Sequence, residues 1–465
     1  MSASRRVAVV GGGISGLTAA LRLRQALGPD ATIDVFEAAG RTGGHLRTVD
    51  VGGRAVDVGA EAFIVRRPEA RDLVAELGLS DRITSPTSRR PAVWSRDTLH
   101  DLPTPALMGI PADARAVAGL ADPDDVARIA AEPEREWHWD AEGDPSVGEL
   151  VAERFGASVV ARCVDPMLGG VYASLAGDIG LREAVPALAA RLDAGASGLT
   201  AAVSEVLAAP SGSGPVFGAL TGGYAVLLAA LADAAGVRPE FCSYVRGLES
   251  RTDGWTVDLG DRSPDYDGVV LAIPAWSAGQ ILRRTHPDFA APLRQVEHAS
   301  SVVVSIALAP GTALPDHSGV LVATGDSLRA KAFTFSSQKW PHLGGDDGPL
   351  SVRASFGRFG AAIPDDCVEP GVDDRIRTEA LEDLDRVCQA AGVPAPSGEV
   401  TDVFVQRWTR GLPVYQPGHL ARMARLQRSR PARLVLAGSA YAGVGVPACI
   451  GQAGHAVAQL VADLT

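Results

Sequence analysis

Gly11, Gly13 and Gly16 follow one another as G-x-G-x-x-G, between an apolar run at residues 7–10 and a helix-period stretch at 17–27. That order suits the pyrophosphate of a dinucleotide. Gly11 allows a tight turn, Gly13 lets the backbone approach the phosphates, and Gly16 lets helix and strand pack closely. Gly12, Ile14 and Ser15 fill the motif, and the free N–H groups at the helix start face the phosphate charge. A second apolar run at 33–36 ends in Glu37, an acid at the spacing expected for a contact with a ribose hydroxyl. Ala38 follows, then Arg41, Gly43, Gly44, His45 and Arg47 in the stretch AAGRTGGHLRT. The paired glycines would bring a second loop to the pyrophosphate, where a guanidinium adds charge-assisted hydrogen bonds.

These residues need a parallel sheet to hold them. Residues 7–10 read as a buried strand, 17–27 as the helix packed on it, and 33–36 as the next strand. Residues 56–63 read as a strand and a loop returning to the cofactor, and 68–79 as an amphipathic helix opened by Pro68. WSRDTLHDLPTP suggests a hairpin and turn; residues 111–210 have helical periodicity, and 208–215 form an exposed connection. From 216 come a turn at Gly222 and Gly223 with a helix, then a hairpin turning at Asp253 and Gly254. A strand broken at Pro274, a long strand in HASSVVVSIALAP, a helix at 371–391 and a closing strand, glycine loop and helix complete the chain. The expected fold is mixed α/β and α+β. A discontinuous Rossmann-like cofactor domain takes residues 1–89, 216–285 and 431–465. A mixed-sheet substrate domain interleaves with it at 90–215, which includes a helical insert, and at 286–430.

At 465 residues the chain can hold two or three domains, and 46% apolar with 21% charged residues is ordinary for a globular protein. A net charge of −12 argues against nucleic acid as the main partner and gives no general attraction to an anionic membrane. No run is apolar enough to span a bilayer, and MSASRR leaves no room for a signal peptide, so a cytoplasmic protein is expected, with peripheral membrane contact still open. Cys163, Cys242, Cys367, Cys388 and Cys449 are scattered, without CxxC or a histidine at zinc spacing, which predicts neither a disulfide framework nor a metal site. Of 43 basic Lys and Arg residues, only Lys331 and Lys339 are lysines, and both fall in AKAFTFSSQKWPH.

The segment 41–47 resembles the arginine and paired-glycine stretch of the FAD-dependent oxidases that include amine oxidases, phytoene desaturases and protoporphyrinogen oxidases. This resemblance implies FAD rather than a nicotinamide. Further segments extend it: GAEAFIVRRP (59–68), GGVYAS (169–174), GALTGGYAVLLAAL (218–231), AFTFSSQKWPH (332–342), RWTRGLPVYQPGH (407–419) and AGSAYAGVGVPACIGQAG (437–454). In order and spacing they resemble the oxygen-dependent FAD protoporphyrinogen/coproporphyrinogen III oxidase family of haem biosynthesis, in its soluble bacterial branch. The resemblance places FAD against Gly11 to Gly16, Glu37, His45 and the loop Gly59, Ala60, Glu61 and Ala62. Val245 would meet the adenine through its backbone, and Trp408 would pack near the cofactor. Val444, Gly445 and Val446 would bring N–H groups to the isoalloxazine, where a helix N-terminus stabilises the negative charge gained on reduction.

Gly170 falls where this family keeps a glycine against the substrate, preceded here by Gly169. Arg66 and Arg67 are the first candidates to anchor substrate propionates, Lys331 and Lys339 the second. The implied reaction is oxidation of coproporphyrinogen III by O2 to coproporphyrin III and H2O2, with protoporphyrinogen IX the alternative substrate. No catalytic base is assigned. A flavin amine oxidase or carotenoid-type desaturase is a more distant reading, although SSVVVSIALAP carries no lysine of the kind amine oxidases set near the flavin. A non-catalytic protein of the GDP-dissociation-inhibitor type is another. Handover of product to a ferrochelatase is an expected partnership.

Overall fold

The computed structural model describes residues 4–210, 214–345, 348–361 and 372–465. Cys367, and part of the connection expected at 208–215, lie outside the described residues.

A four-stranded, all-parallel sheet forms the first layer, in the order Thr32–Phe36, Arg6–Val10, Gly268–Leu271 and Leu434–Leu436. A strand buried on both faces must be apolar without alternation, which is why residues 7–10 read as a continuous run. Val7 and Val9 pack on one side against the helices Ile14–Leu27, Tyr224–Ala235 and Val446–Leu464. Ala8 and Val10 pack on the other side, against the antiparallel strands Gly247–Arg251 and Gly254–Asp258 and the helix Ala275–Leu282. The beginning, middle and end of the chain therefore build one Rossmann-like layer. The first hairpin of its cover turns one residue earlier than its sequence suggests: Arg251 pairs with Gly254, so the loop is Thr252 and Asp253.

The second layer is a seven-stranded mixed sheet in the order Val400–Pro413, His298–Leu308, Leu350–Phe356, Ala332–Thr334, Gly319–Val322, Ala92–Ser95 and Thr98–Asp101. Only the pairing of Gly319–Val322 with Ala92–Ser95 is parallel. Alternation sorts its two faces. Val302, Val304 and Ile306, with Val352, Ala354 and Phe356, bury one face against Ile376, Ala380, Leu384 and Val387 of the helix Val372–Ala390. The other face carries Ser301, Ser305, Arg353 and Ser355, residues that a purely structural core would not place there.

Between Pro123 and Ala208 the chain is mostly helical, apart from a connection at 135–146, and one turn of π-helix, Val160–Val164, feeds the helix Asp165–Tyr172. Cys163, Cys388 and Cys449 are buried thiols, and Cys242 is exposed.

Candidate functional site

The first glycine turn is built as its spacing requires. Gly11 has φ +106°, and a Cβ on it would lie 2.4 Å from the Ala272 carbonyl oxygen. A Cβ on Gly16 would come within 1.8 Å of the Gly11 oxygen. Gly13 differs, because a Cβ there would meet nothing closer than the Gly43 oxygen at 3.8 Å. Gly13 bridges to Gly43, and the Gly43 N–H donates to the Gly12 oxygen at 2.9 Å. The two glycine loops thus form one cradle whose open side is backbone. Glu37 is fixed at its edge, accepting from the Gly12 N–H at 2.7 Å and the Ala39 N–H at 2.7 Å. The Ser243 N–H donates to the Glu37 carbonyl at 2.9 Å, which brings the segment carrying Val245 alongside.

Arg41 turns back on its own loop, donating to the Thr42 oxygen at 2.9 Å and the Gly44 oxygen at 2.8 Å, so much of its donor capacity goes to shaping the cradle. Its guanidinium lies 5.9 Å from the Trp408 ring centroid. Trp408 donates to the Val58 oxygen at 2.9 Å and meets the His45 ring edge-on at 5.3 Å. Burial first, and the charge of Arg41 second, hold the His45 imidazole down at about 4, so it is neutral near pH 7. A Cβ on Gly59 would lie 1.9 Å from the His45 oxygen. The glycine is what lets these two loops touch.

Beyond Gly59 the expected roles change. The Glu61 side chain points away from the cradle into the mixed sheet. It pairs with Lys339 at 3.2 Å and Arg353 at 3.7 Å and accepts from the Ser336 hydroxyl. Burial alone would raise its carboxyl, but Lys339, Arg353 and Ser336 outweigh it and hold the group at about 2. The Glu61 carboxylate is thus engaged with the mixed sheet, and Lys339 has Glu61 as its ion-pair partner. Arg353, which sequence reasoning did not single out, also donates to the Gly59 oxygen at 2.7 Å. Nearby, Asp57 accepts from the Thr48 hydroxyl at 2.6 Å and the Tyr224 N–H at 3.1 Å, and burial pushes its carboxyl up to about 6.

Arg66 and Arg67 are exposed; Arg66 donates to the Gly214 oxygen at 2.7 Å and Arg67 pairs with Glu69 at 3.0 Å. The neighbours of the expected substrate glycines are different residues. A Cβ on Gly170 would lie 3.9 Å from Leu321, and one on Gly169 would lie 3.6 Å from Nε of Arg358. Lys331 is close to this place, its ammonium donating to the Gly357 oxygen at 2.7 Å. Burial, and after it the charge of Arg358, push Lys331 down to about 7.

At the far end, the helix Val446–Leu464 begins at Gly445 with no side-chain cap and no acid in its first turn; Pro447 has no N–H, so among the described residues the Val446 and Ala448 N–H groups are the ones an anionic partner could meet. The preceding loop is pinned. Gln452 accepts from the Gly438 N–H at 3.0 Å, and Tyr415 donates to the Ser439 oxygen and accepts from the Gly443 N–H at 2.9 Å. Val444 packs on the helical insert.

These features fit FAD. A Cβ on Gly13 would find room between the twin glycine loops, an acid closes the second strand, and an uncapped helix N-terminus follows the chain's last loop. Residues 14–462 match the model of the flavin containing amine oxidoreductases, and the chain belongs to that family, with FAD as its cofactor. Within it, the chain is 47% identical over 462 residues to a protein of Mycobacterium leprae (strain TN) named coproporphyrinogen III oxidase, covering 99% of both. It is also 47% identical over 464 residues to the coproporphyrinogen III oxidase of Mycobacterium tuberculosis (strain ATCC 25618 / H37Rv), covering 99% of this chain and 98% of that protein. A solved structure from Exiguobacterium sp. 255-15, described as a candidate protoporphyrinogen oxidase, is similar with a TM-score of 0.85 and 25% identity, covering 99% of both chains.

Proposed function

We propose that this chain oxidises coproporphyrinogen III to coproporphyrin III, with dioxygen as final acceptor and hydrogen peroxide as by-product. The observation that carries the reading is the side-chain-free edge at Gly169 and Gly170, set against Leu321 on the same layer as Trp408. A broad, mostly apolar ring needs such an opening to lie near a flavin, and relatives named for this substrate match the chain end to end. Bound FAD would supply the two-electron acceptor for a hydride and the route by which electrons reach dioxygen.

The protein's own part is orientation and electrostatics. Gly13, Ile14 and Ser15, with Gly44, would meet the pyrophosphate through backbone, while Gly11, Gly12 and Gly16 shape the turn that places them; Glu37 and Ala38 would border the ribose, and Val245 the adenine. Arg41 keeps the second glycine loop in place. His45, kept neutral, would wall the cofactor beside Trp408 without adding charge. Gly59, Ala60 and Ala62 follow that wall. Val444, Gly445 and Val446 present the uncapped helix end, which favours negative charge on the reduced cofactor. No helix among the described residues is long and apolar enough to cross a membrane, and the reading includes a cytoplasmic enzyme that passes its poorly soluble product to an iron-inserting enzyme.

The test uses the purified protein, first without oxygen and then with it, on coproporphyrinogen III and protoporphyrinogen IX in parallel. Bleaching of the flavin absorbance, followed on aeration by coproporphyrin fluorescence and peroxide, is expected, with the higher kcat/KM for coproporphyrinogen III. A flavin that neither porphyrinogen bleaches would overturn the reading.

A further inference from the structure

Arg358 stands two residues past the strand Leu350–Phe356 and is half-buried there. Its guanidinium donates to the Val322 oxygen at 3.0 Å, while its Nε is buried with no hydrogen-bond partner among the described residues. No described carboxylate forms an ion pair with it. Asp165 is the acid it feels, and that carboxylate is already accepting the Ala176 N–H at 2.8 Å. A half-buried guanidinium whose buried Nε–H lacks an acceptor costs free energy unless an anion completes it.

Its surroundings tie it to the substrate side of the sheet. Phe356 opposes Val302 and Trp408 opposes Ser301, so Gly357 falls in the row of Ser301 and Trp408. Two strand spacings, about 10 Å, separate Gly357 from Trp408. Gly169 meets Nε of Arg358 through nothing but backbone, and the Phe359 N–H donates to the Ala173 oxygen at 2.7 Å, locking the two segments together. Ala173 has φ +50° without being a glycine, and the π-turn at Val160–Val164 lies one helix upstream. Irregularities of this kind gather where a chain is shaped for a ligand rather than for packing. Behind Arg358, Lys331 grips the Gly357 carbonyl.

We propose that Arg358 binds a propionate carboxylate of the porphyrinogen at the Gly169–Gly170 edge, and that Lys331 is its positioning residue, acting through the Gly357 carbonyl. The proposal rests on the porphyrinogen reading above and assigns the anchor to a residue that neither the surface pair Arg66 and Arg67 nor Lys339 replaces. Arg suits this task because its planar fork meets a carboxylate with two parallel N–H bonds, which the Lys ammonium cannot reproduce.

The test compares steady-state kinetics of the FAD-loaded wild type with Arg358→Gln, Arg358→Lys and Lys331→Met, using coproporphyrinogen III and protoporphyrinogen IX. Loss of a charge-assisted bond predicts a KM for coproporphyrinogen III raised about 10- to 100-fold in Arg358→Gln, with a much smaller change in kcat. Arg358→Lys restores part of the loss, and Lys331→Met moves KM in the same direction by less. Quenching of coproporphyrin fluorescence on titration with each variant gives the same ranking without turnover. Unchanged KM and unchanged product binding in a flavin-loaded Arg358→Gln would overturn the proposal, as would a loss confined to kcat. Should Arg358→Gln lose its flavin or its fold, Arg358→Lys with wild-type KM and product affinity would overturn it as well. Failure of the wild type on both porphyrinogens is a separate result, and it overturns the parent reading instead.

Discussion

Glu61 shows how one carboxylate can tie two layers together. Its carboxylate joins a loop of the cofactor layer to Lys339 and Arg353 of the mixed sheet. Replacing it with Gln leaves two cations without their acid in a buried place, and a loss of about 3 kcal/mol in urea unfolding at neutral pH is expected. The carboxyl is held at about 2, below its ordinary value. A depressed folded-state value means that its stabilisation is complete above the unfolded value, about 4.5, and fades as the pH falls toward about 2. Unfolding curves of Glu61→Gln should therefore lack that part of the acid dependence. Asp57 has the opposite sign. Its carboxyl is raised to about 6, so its stabilisation is full when protonated and is lost as the pH rises through that value. Asp57→Asn keeps an acceptor for the Tyr224 N–H, and its stability relative to wild type should improve between about pH 4 and pH 7; a constant difference across that range would contradict the assignment.

At the level of the element, two glycines of one turn have separable tasks. Gly16 is needed for the fold, because a methyl there would lie 1.8 Å from the Gly11 oxygen. Gly13 has ordinary extended backbone with φ −76° and free space around a new Cβ. Gly16→Ala should lower the melting temperature and the flavin content together, at a cost of about 1–3 kcal/mol. Gly13→Ala should melt within a few degrees of wild type but purify with little flavin, since the methyl enters the cradle. The ratio of flavin to protein absorbance, beside a melting curve, distinguishes them. If Gly13→Ala retained its flavin fully, the cradle would lie elsewhere. The G-x-G-x-x-G turn, the strand that ends in Glu37 and the closing helix were all legible in the chain, because each depends on residues a few positions apart. The hairpin turn was misplaced by one residue, since turn position follows the register of the paired strands and not the Asp-Gly step alone.

The whole molecule adds a constraint that no single layer contains. Tyr415, at the end of the mixed sheet, reaches the loop ahead of the last helix through Ser439 and Gly443 while its ring stacks on His419 at 4.5 Å. Its own backbone oxygen accepts the Gly180 N–H of the helical insert at 2.9 Å. One tyrosine therefore couples sheet, insert and the loop expected at the flavin. Tyr415→Phe keeps the ring and removes the hydroxyl, and a loss of about 1–3 kcal/mol is expected from the donor and acceptor left unpaired. Hydrogen exchange should accelerate in residues 438–446 ahead of the rest of the cofactor layer. Unchanged exchange there would show that the loop is held by Gln452 alone.

By itself the sequence determined the dinucleotide turn with the strands and helix around it, because turn geometry and apolar periodicity are local properties of the chain; the flavin, and the expected role of the glycines at 169 and 170, came from its resemblance to a family. Tertiary structure decided which cations are free. Lys339 and Glu61 are 278 residues apart in sequence, and only the apposition of the two layers makes them partners. Arg358 carries no local motif; strand register and the turn after Phe356 set it beside Gly169. A charge reads the same in a sequence whether it waits for a ligand or is already neutralised, since the difference lies in burial and in the partner that folding brings to it.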